Sequence, residues 1–298
     1  MKRGTLEIES RSLHGASSTL SNGGILESQV QIARSVLRWA GSKRQILPKL
    51  SQYWSAAFER YVEPFCGSSA LFFLLNPEKA LLSDSNTELI GFYDVLRENP
   101  AKLWADTIAI ARTQAMYLKI RAMKLNGASA HTRAVRFLYL NRNCFNGLYR
   151  TNAAGNFNVP FASSRAGEMP SLAEFVDAAG RLQRAQTRAC DFGHTLRDVR
   201  AGDFVYLDPP FFVSARRVFR DYGPRKFVQT DIDRLGKHLD RLDARGAAFV
   251  LSFADCAEVR PLARHWDSRR VKVQRQIAGF ASDRRFAYER LISNTAPA

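Results

Sequence analysis

Four short apolar runs punctuate the chain, each ending in an acid or a small residue: RYVEPF (60–65), KALLSDSN (79–86), DFVYLDPP (203–210) and AAFVLSFAD (247–255). Their apolar positions are contiguous rather than alternating, which predicts strands buried on both faces, as in a parallel sheet covered by helices. Helical patterns lie between them, so the chain reads as α/β. Near the C-terminus, RRVKVQRQI (269–277) and AYERLIS (287–293) flank the turn-rich AGFASDRRF (278–286). That pattern predicts an antiparallel hairpin at the sheet edge.

A long segment between KALLSDSN and DFVYLDPP breaks the alternation. It contains helical patterns such as LWADTIAIARTQAMYLKIRAMKL (103–125) and the turn-forming NRNCFNGLYRTNAAGNFNVPF (141–161). It is most simply a second subdomain set into the sheet. Residues 1–33, rich in Ser and Gly and without periodicity, read as a mobile extension.

Charge narrows the partners. The 298 residues hold 44 Lys+Arg against 28 Asp+Glu, a formal net charge of +16, and a field of that sign favours polyanions. From Thr107 to Gly167 there is no acid, while Arg112, Lys119, Arg121, Lys124, Arg133, Arg136, Arg142, Arg150 and Arg165 fall there. A solvated face normally mixes both signs, so this stretch is expected to face phosphate. A second basic run, Arg260 to Arg290, contains acids and is weaker evidence. No apolar run approaches the roughly 20 residues of a membrane span, and the N-terminus lacks a signal peptide's apolar core. A cytoplasmic location without membrane contact is therefore expected. Cys66, Cys144, Cys190 and Cys256 are scattered and form no metal-ligand spacing with one another or with His, so reduced thiols and no metal are expected.

In an open parallel sheet, ligands sit beyond the C-terminal strand ends. There the sequence places Glu63 and Gly67, then Asp84, then Asp208. A glycine after the first strand lets backbone approach a ligand, and an acid after the second can hold ribose hydroxyls. The bland alternative makes Gly67 a turn glycine and Asp84 a helix N-cap. No full G-x-G-x-x-G or G-x-x-x-x-G-K-[ST] is present, so a nucleoside ligand without a pyrophosphate fits better. At Asp208 the case is firmer. Pro209 and Pro210 have no N–H and fixed φ, leaving outward carbonyls beside a carboxylate. Such an acceptor-only site suits an exocyclic amine, and Phe211 offers a ring for a flat base.

DPPF resembles the D-P-P-[YFW] motif of amino methyltransferases that act on adenine in DNA. LRWAGSKRQILPKL (37–50), VEPFCGSSALFF (62–73), LSDSNTELIGFYDVL (82–96), FLYLNRNCFNGLYRTNAAGNFNVPF (137–161) and VYLDPPF (205–211) follow the order of the Dam-type DNA adenine methyltransferases. The resemblance implies a Rossmann-like seven-stranded methyltransferase sheet formed by residues 34–92 and 184–298, with 93–183 as an inserted, mainly helical target-recognition subdomain. It implies S-adenosylmethionine as methyl donor, held by Trp39, Lys43, Glu63, Phe65, Gly67, Asp84, Asp191, Phe192 and Asp208. It makes Asp208, Pro209, Pro210 and Phe211 the catalytic motif, with Asp208 and the Pro209 carbonyl accepting from the two N–H groups of an adenine flipped out of duplex DNA. Phe145 would wedge or stack, Arg38, Asn146 and Arg150 would reach bases, and Arg142 would meet phosphate. The target is then GATC or a related short site. Phe145 and Phe211 stand where Tyr is commoner, Ser69 where a second glycine is usual, and Ser163 where Arg is frequent. The same chemistry on RNA or on a cytosine amine, and a DNA-binding module without catalysis, are the competing readings. A monomer suffices for the chemistry, and a restriction nuclease is a candidate partner.

Overall fold

A computed structural model of the chain describes residues 35–152, 154–163, 166–210, 227–274 and 286–297. The expected N-terminal extension and Phe211 lie outside the described residues. A seven-stranded sheet runs through the centre in the order β3-β2-β1-β4-β5-β7-β6. Its strands are β1 (Arg60–Glu63), β2 (Ala80–Asp84), β3 (Ala185–Ala189), β4 (Asp203–Leu207), β5 (Ala248–Ala254), β6 (Asp267–Gln274) and β7 (Phe286–Ser293). β1 to β5 pair in parallel. β7 runs antiparallel to both β5 and β6, which gives the hairpin that the C-terminal pattern predicts.

The apolar runs are continuous because each strand is packed on two sides. Tyr61, Leu82, Phe204 and Tyr206 join one core with α1 (Leu47–Leu50), α2 (Ala70–Leu75) and the inserted helices. Val62, Leu81, Val205, Leu207, Phe249 and Leu251 point the other way, into a core with α8 (Phe192–Arg197) and α9 (Gln229–Ala244). Neighbouring residues on one strand thus serve opposite layers.

Between β2 and β3 the chain forms α3 (Thr87–Glu98), α4 (Pro100–Ile108), α5 (Gln114–Ala122), α6 (Ala130–Asn143) and α7 (Leu172–Leu182). Thr113 caps α5 through its hydroxyl, and Ser171 with Glu174 forms a capping box on α7, so local sequence sets where these helices begin. The segment after α6 folds back on itself, with bridges between Cys144 and Phe161 and between Thr151 and Phe157. It encloses a small core of its own that includes Tyr117, Tyr139, Leu148 and Val159.

Two features depart from the sequence reading. β3, in AQTRA, carries no apolar run: it is an edge strand whose one buried residue is Ala185. The acid-free stretch is not wholly a solvent face. Arg136 and Arg142 are buried, and Arg121, Arg133 and Arg136 donate to main-chain carbonyls of Val159, Ala128 and Ile120. Arg112, Lys119, Lys124 and Arg133 remain exposed.

Candidate active site

Strand order reverses between β1 and β4, and a crevice opens at such a switch point. Glu63 closes β1 on one side of it and Asp208 follows β4 on the other.

Gly67 belongs to the loop leaving β1. Its φ is +45°, and an added Cβ would lie 2.8 Å from Nε1 of Trp39. The indole is therefore seated on bare backbone, a contact no side chain permits. The Gly67 N–H donates to Asp84 Oδ2 at 3.1 Å, and Tyr93 Oη donates to the Gly67 carbonyl at 2.7 Å. The helix α3 is capped by Asn86, whose Oδ1 accepts from the N–H groups of Glu88 and Leu89. Asp84 is thus not the cap: its Oδ1 accepts from Asn86 N–H at 2.9 Å. Burial raises its pKa, although the N–H groups of Asn86, Gly67 and Ser85 pull the other way.

Lys43 reaches the crevice from the segment before α1. Its Nζ lies 3.0 Å from Asp208 Oδ1 and 3.3 Å from Glu289 Oε2. Burial opposes the charge on this ammonium, but the two carboxylates outweigh it and hold the pKa above its ordinary value. Asp208 Oδ1 also accepts from Ser252 Oγ at 3.0 Å. Its pKa is raised by burial, against the pull of Lys43 and Ser252. Glu63 is buried, accepts from Tyr61 Oη at 3.0 Å, and is pushed well above the carboxylate range by burial and by Asp208 and Asp84. Glu63, Asp84, Asp208 and Glu289 thus bring four carboxyl groups to one crevice with one ammonium among them. Such a site favours a cationic ligand.

Farther along the strand ends, Phe65 packs 5.0 Å from Phe192 and 6.1 Å from Phe227. Asp191 caps α8 through Gly193 N–H and accepts both ends of the Arg234 guanidinium, at 3.0 and 2.8 Å. That guanidinium lies 4.1 Å above the Phe192 ring. An apolar wall of mutually tilted rings with an ion pair at its rim results.

The remaining candidates lie on and around the loop after α6. Asn141 clamps Arg38 by taking its N–H and donating to its carbonyl. Arg38 passes so close to Gly147 and Gly167 that neither position has room for a Cβ. Arg142 donates to the Val36 carbonyl. Burial and the neighbouring Arg38, Arg112 and Arg44 pull its pKa down to about 10, which leaves it charged at neutral pH. Phe145 is half-buried and packs on the small core, Asn146 holds a left-handed φ of 54°, and Arg150 donates to Asn158 Oδ1 at 2.7 Å. This loop meets the crevice at Tyr149, whose ring stacks on Trp39 with centroids 6.1 Å apart and 20° between planes. Glu289, Ser252, Phe227 and Arg234 carry no local motif, and the fold alone brings them to the site. Among the described residues, no His, Cys, Asp and Glu group could hold a metal ion.

The sheet order and an acid–diproline corner at the switch point define a Rossmann-like methyltransferase. The model of the D12 class N6 adenine-specific DNA methyltransferases matches residues 39–277, and the chain belongs to that family. It is 30% identical over 270 residues to a type II methyltransferase of Lactococcus lactis subsp. cremoris, covering 88% of this chain and 95% of that protein. It is 32% identical over 253 residues to a DNA adenine methylase of Vibrio cholerae, covering 82% and 90%. The retron Ec67 DNA adenine methylase of Escherichia coli is 31% identical over 268 residues, covering 86% and 89%. No described helix is long and apolar enough to cross a membrane.

Proposed function

We propose that this adenine-specific DNA methyltransferase takes its methyl group from S-adenosylmethionine and acts on an adenine flipped out of duplex DNA, within GATC or a related short site. The observation that carries the reading is the Asp208–Pro209–Pro210 corner at the switch point, with Glu63 and Asp84 beside it. The residues fit the donor. Its positive sulfonium suits a crevice where Asp84, Asp208 and Glu289 outnumber the one ammonium, and the Trp39–Gly67 seat has the closeness a nucleoside site needs. Asp84 would hold the ribose hydroxyls, Phe65, Phe192 and Asp191 the adenine, and Trp39 and Lys43 the methionine end.

When bound, S-adenosylmethionine supplies a methyl group already activated on sulfur, so no covalent enzyme intermediate is required. The protein's task is the amine. An adenine amine is a weak nucleophile because its lone pair is delocalised into the ring. Asp208 and the Pro209 carbonyl accept its two N–H groups and favour a more pyramidal nitrogen. Lys43 and Ser252 fix Asp208 for that role. Asp208 would take the surplus N–H proton as the N–C bond forms and the methyl–sulfur bond breaks, and would pass it to solvent.

For target recognition, Phe145 would wedge into the duplex, Arg38, Asn146 and Arg150 would read bases, and Arg142 would meet phosphate. Residues 93–183 would form the target-recognition unit.

The test is to incubate the protein with unmethylated genomic DNA and S-adenosylmethionine, digest to nucleosides, and search for N6-methyldeoxyadenosine by mass spectrometry. Sequencing of the modified DNA then gives the site. The Asp208→Ala variant should give no product while still binding DNA. An active variant, or wild-type protein that binds the cofactor and yields no methylated base, would overturn the reading.

A further inference from the structure

The basic run from Arg260 to Arg290 contains acids, and the fold disperses those that are described. Glu289 faces Lys43 at 3.3 Å, and Asp267 pairs with Arg269 at 3.2 Å. Side chains alternate along a strand, so Phe286, Tyr288 and Arg290 lie on the opposite face of β7 from Glu289. On β6, Lys272 stands opposite Tyr288 and Arg270 opposite Arg290.

The result is a ladder of alternating cations and rings. The Arg270 guanidinium lies 4.2 Å over the Tyr288 ring and the Lys272 ammonium 3.8 Å over the Phe286 ring. Phe286 is 63% exposed and Tyr288 45%, so these rings face solvent and not a core. At the inner end Asp255 draws Arg260, Arg270 and Arg290, at 3.7, 2.7 and 3.0 Å. One carboxylate therefore stands against Arg260, Arg270, Lys272 and Arg290. Arg270 and Arg290 share the single charge of Asp255, whereas the ring under Lys272 orients that ammonium without neutralising it and leaves its charge for a third party. Four residue steps of β7 cover about 14 Å, while each strand of duplex DNA carries one phosphate per about 3.4 Å of helix axis. Tyr288 also adjoins Glu289, which touches the same ammonium as Asp208.

We infer that this face of the β6–β7 hairpin binds the phosphodiester backbone of the duplex flanking the methylated site. The inference rests on the proposed function, because it needs a duplex seated at Asp208. The ladder's charge suits a phosphate backbone, and its place one residue along β7 from Glu289 but on the other face of the sheet suits DNA that continues past the site rather than the target itself.

The test compares wild-type protein with the double variant Arg270→Ala/Lys272→Ala, whose changes are solvent-facing. Affinity is measured by fluorescence anisotropy over a salt series, on a short duplex that just covers the target and on a long one of roughly forty base pairs, where each lost phosphate contact lowers the salt slope by about 0.9. The expected result is a long-duplex affinity down about tenfold with a slope shallower by one to two contacts, and unchanged binding and methylation of the short duplex. Equal affinity and slope on the long duplex would overturn the inference. So would an equal loss on both lengths, which would place the ladder on the target itself. If wild-type protein methylates no DNA but the variant shows the length-dependent loss, the proposed function fails and the surface stands.

Discussion

The Lys43 ammonium lies 3.0 Å from the carboxylate of Asp208, although one precedes the first strand and the other follows the fourth. Asp208 is therefore not a solitary acceptor. A cation shared with Glu289 fixes one of its oxygens, and Ser252 holds that same oxygen through its hydroxyl.

Replacing Lys43 by Met should destabilise the fold by about 3 kcal/mol at neutral pH, because it leaves two largely buried carboxylates uncompensated. The deficit should shrink in acid as Asp208 takes up a proton. Denaturant melts of wild type and variant across pH check this, and a deficit independent of pH would refute the charge argument.

Asp208 is the stronger acceptor for an amine when ionised, since protonation weakens it and adds an O–H donor, and burial raises its pKa. The rate of methyl transfer should therefore fall, as pH falls, at a pH above that of an ordinary aspartate, about 3.9. Ser252 lowers this pKa, so Ser252→Ala should move the acid limb to still higher pH. Single-turnover pH profiles read both effects.

Gly67→Ala should weaken binding of S-adenosylmethionine at least tenfold and cost about 1–2 kcal/mol of stability, since a left-handed alanine is strained and its methyl group would meet Trp39 at 2.8 Å. DNA affinity should fall less, by the part of the indole's displacement that Tyr149 passes to the loop after α6. Calorimetric titration with cofactor and with duplex separates the two.

Glu63 is held protonated more firmly than an ordinary glutamate by burial and by Asp208 and Asp84. A bound sulfonium would favour its ionised form, so cofactor binding should release protons and tighten as pH rises. Binding enthalpies that do not vary with the buffer's heat of ionisation would rule this out.

The sheet was legible where burial on both faces writes a continuous apolar run, as in VYL of β4 and ALL of β2. β3 was silent because an edge strand with one buried alanine leaves no such trace. The site was legible where chemistry demands a rare local arrangement: two prolines after an acid, or a glycine that must lie against a ring. Glu289 and Arg234 had no such signature. Each acts on a residue far away in the chain, Lys43 and Asp191, and only strand pairing and helix packing bring them there. Arg142 shows a third case, since its charge was evident in the sequence and its burial was not.

Trp39 touches two parts of the molecule at once. One side of its environment is the bare backbone of Gly67, and another is the ring of Tyr149, whose hydroxyl donates to Glu88 at 2.9 Å. A ligand that shifts the indole must therefore disturb both the loop after β1 and the loop after α6. By thermodynamic reciprocity, a ligand that disturbs either loop changes the affinity of the other for its own ligand by the same factor. One indole thus sets the exchange rate between the two halves of the reaction, and its removal should make them independent.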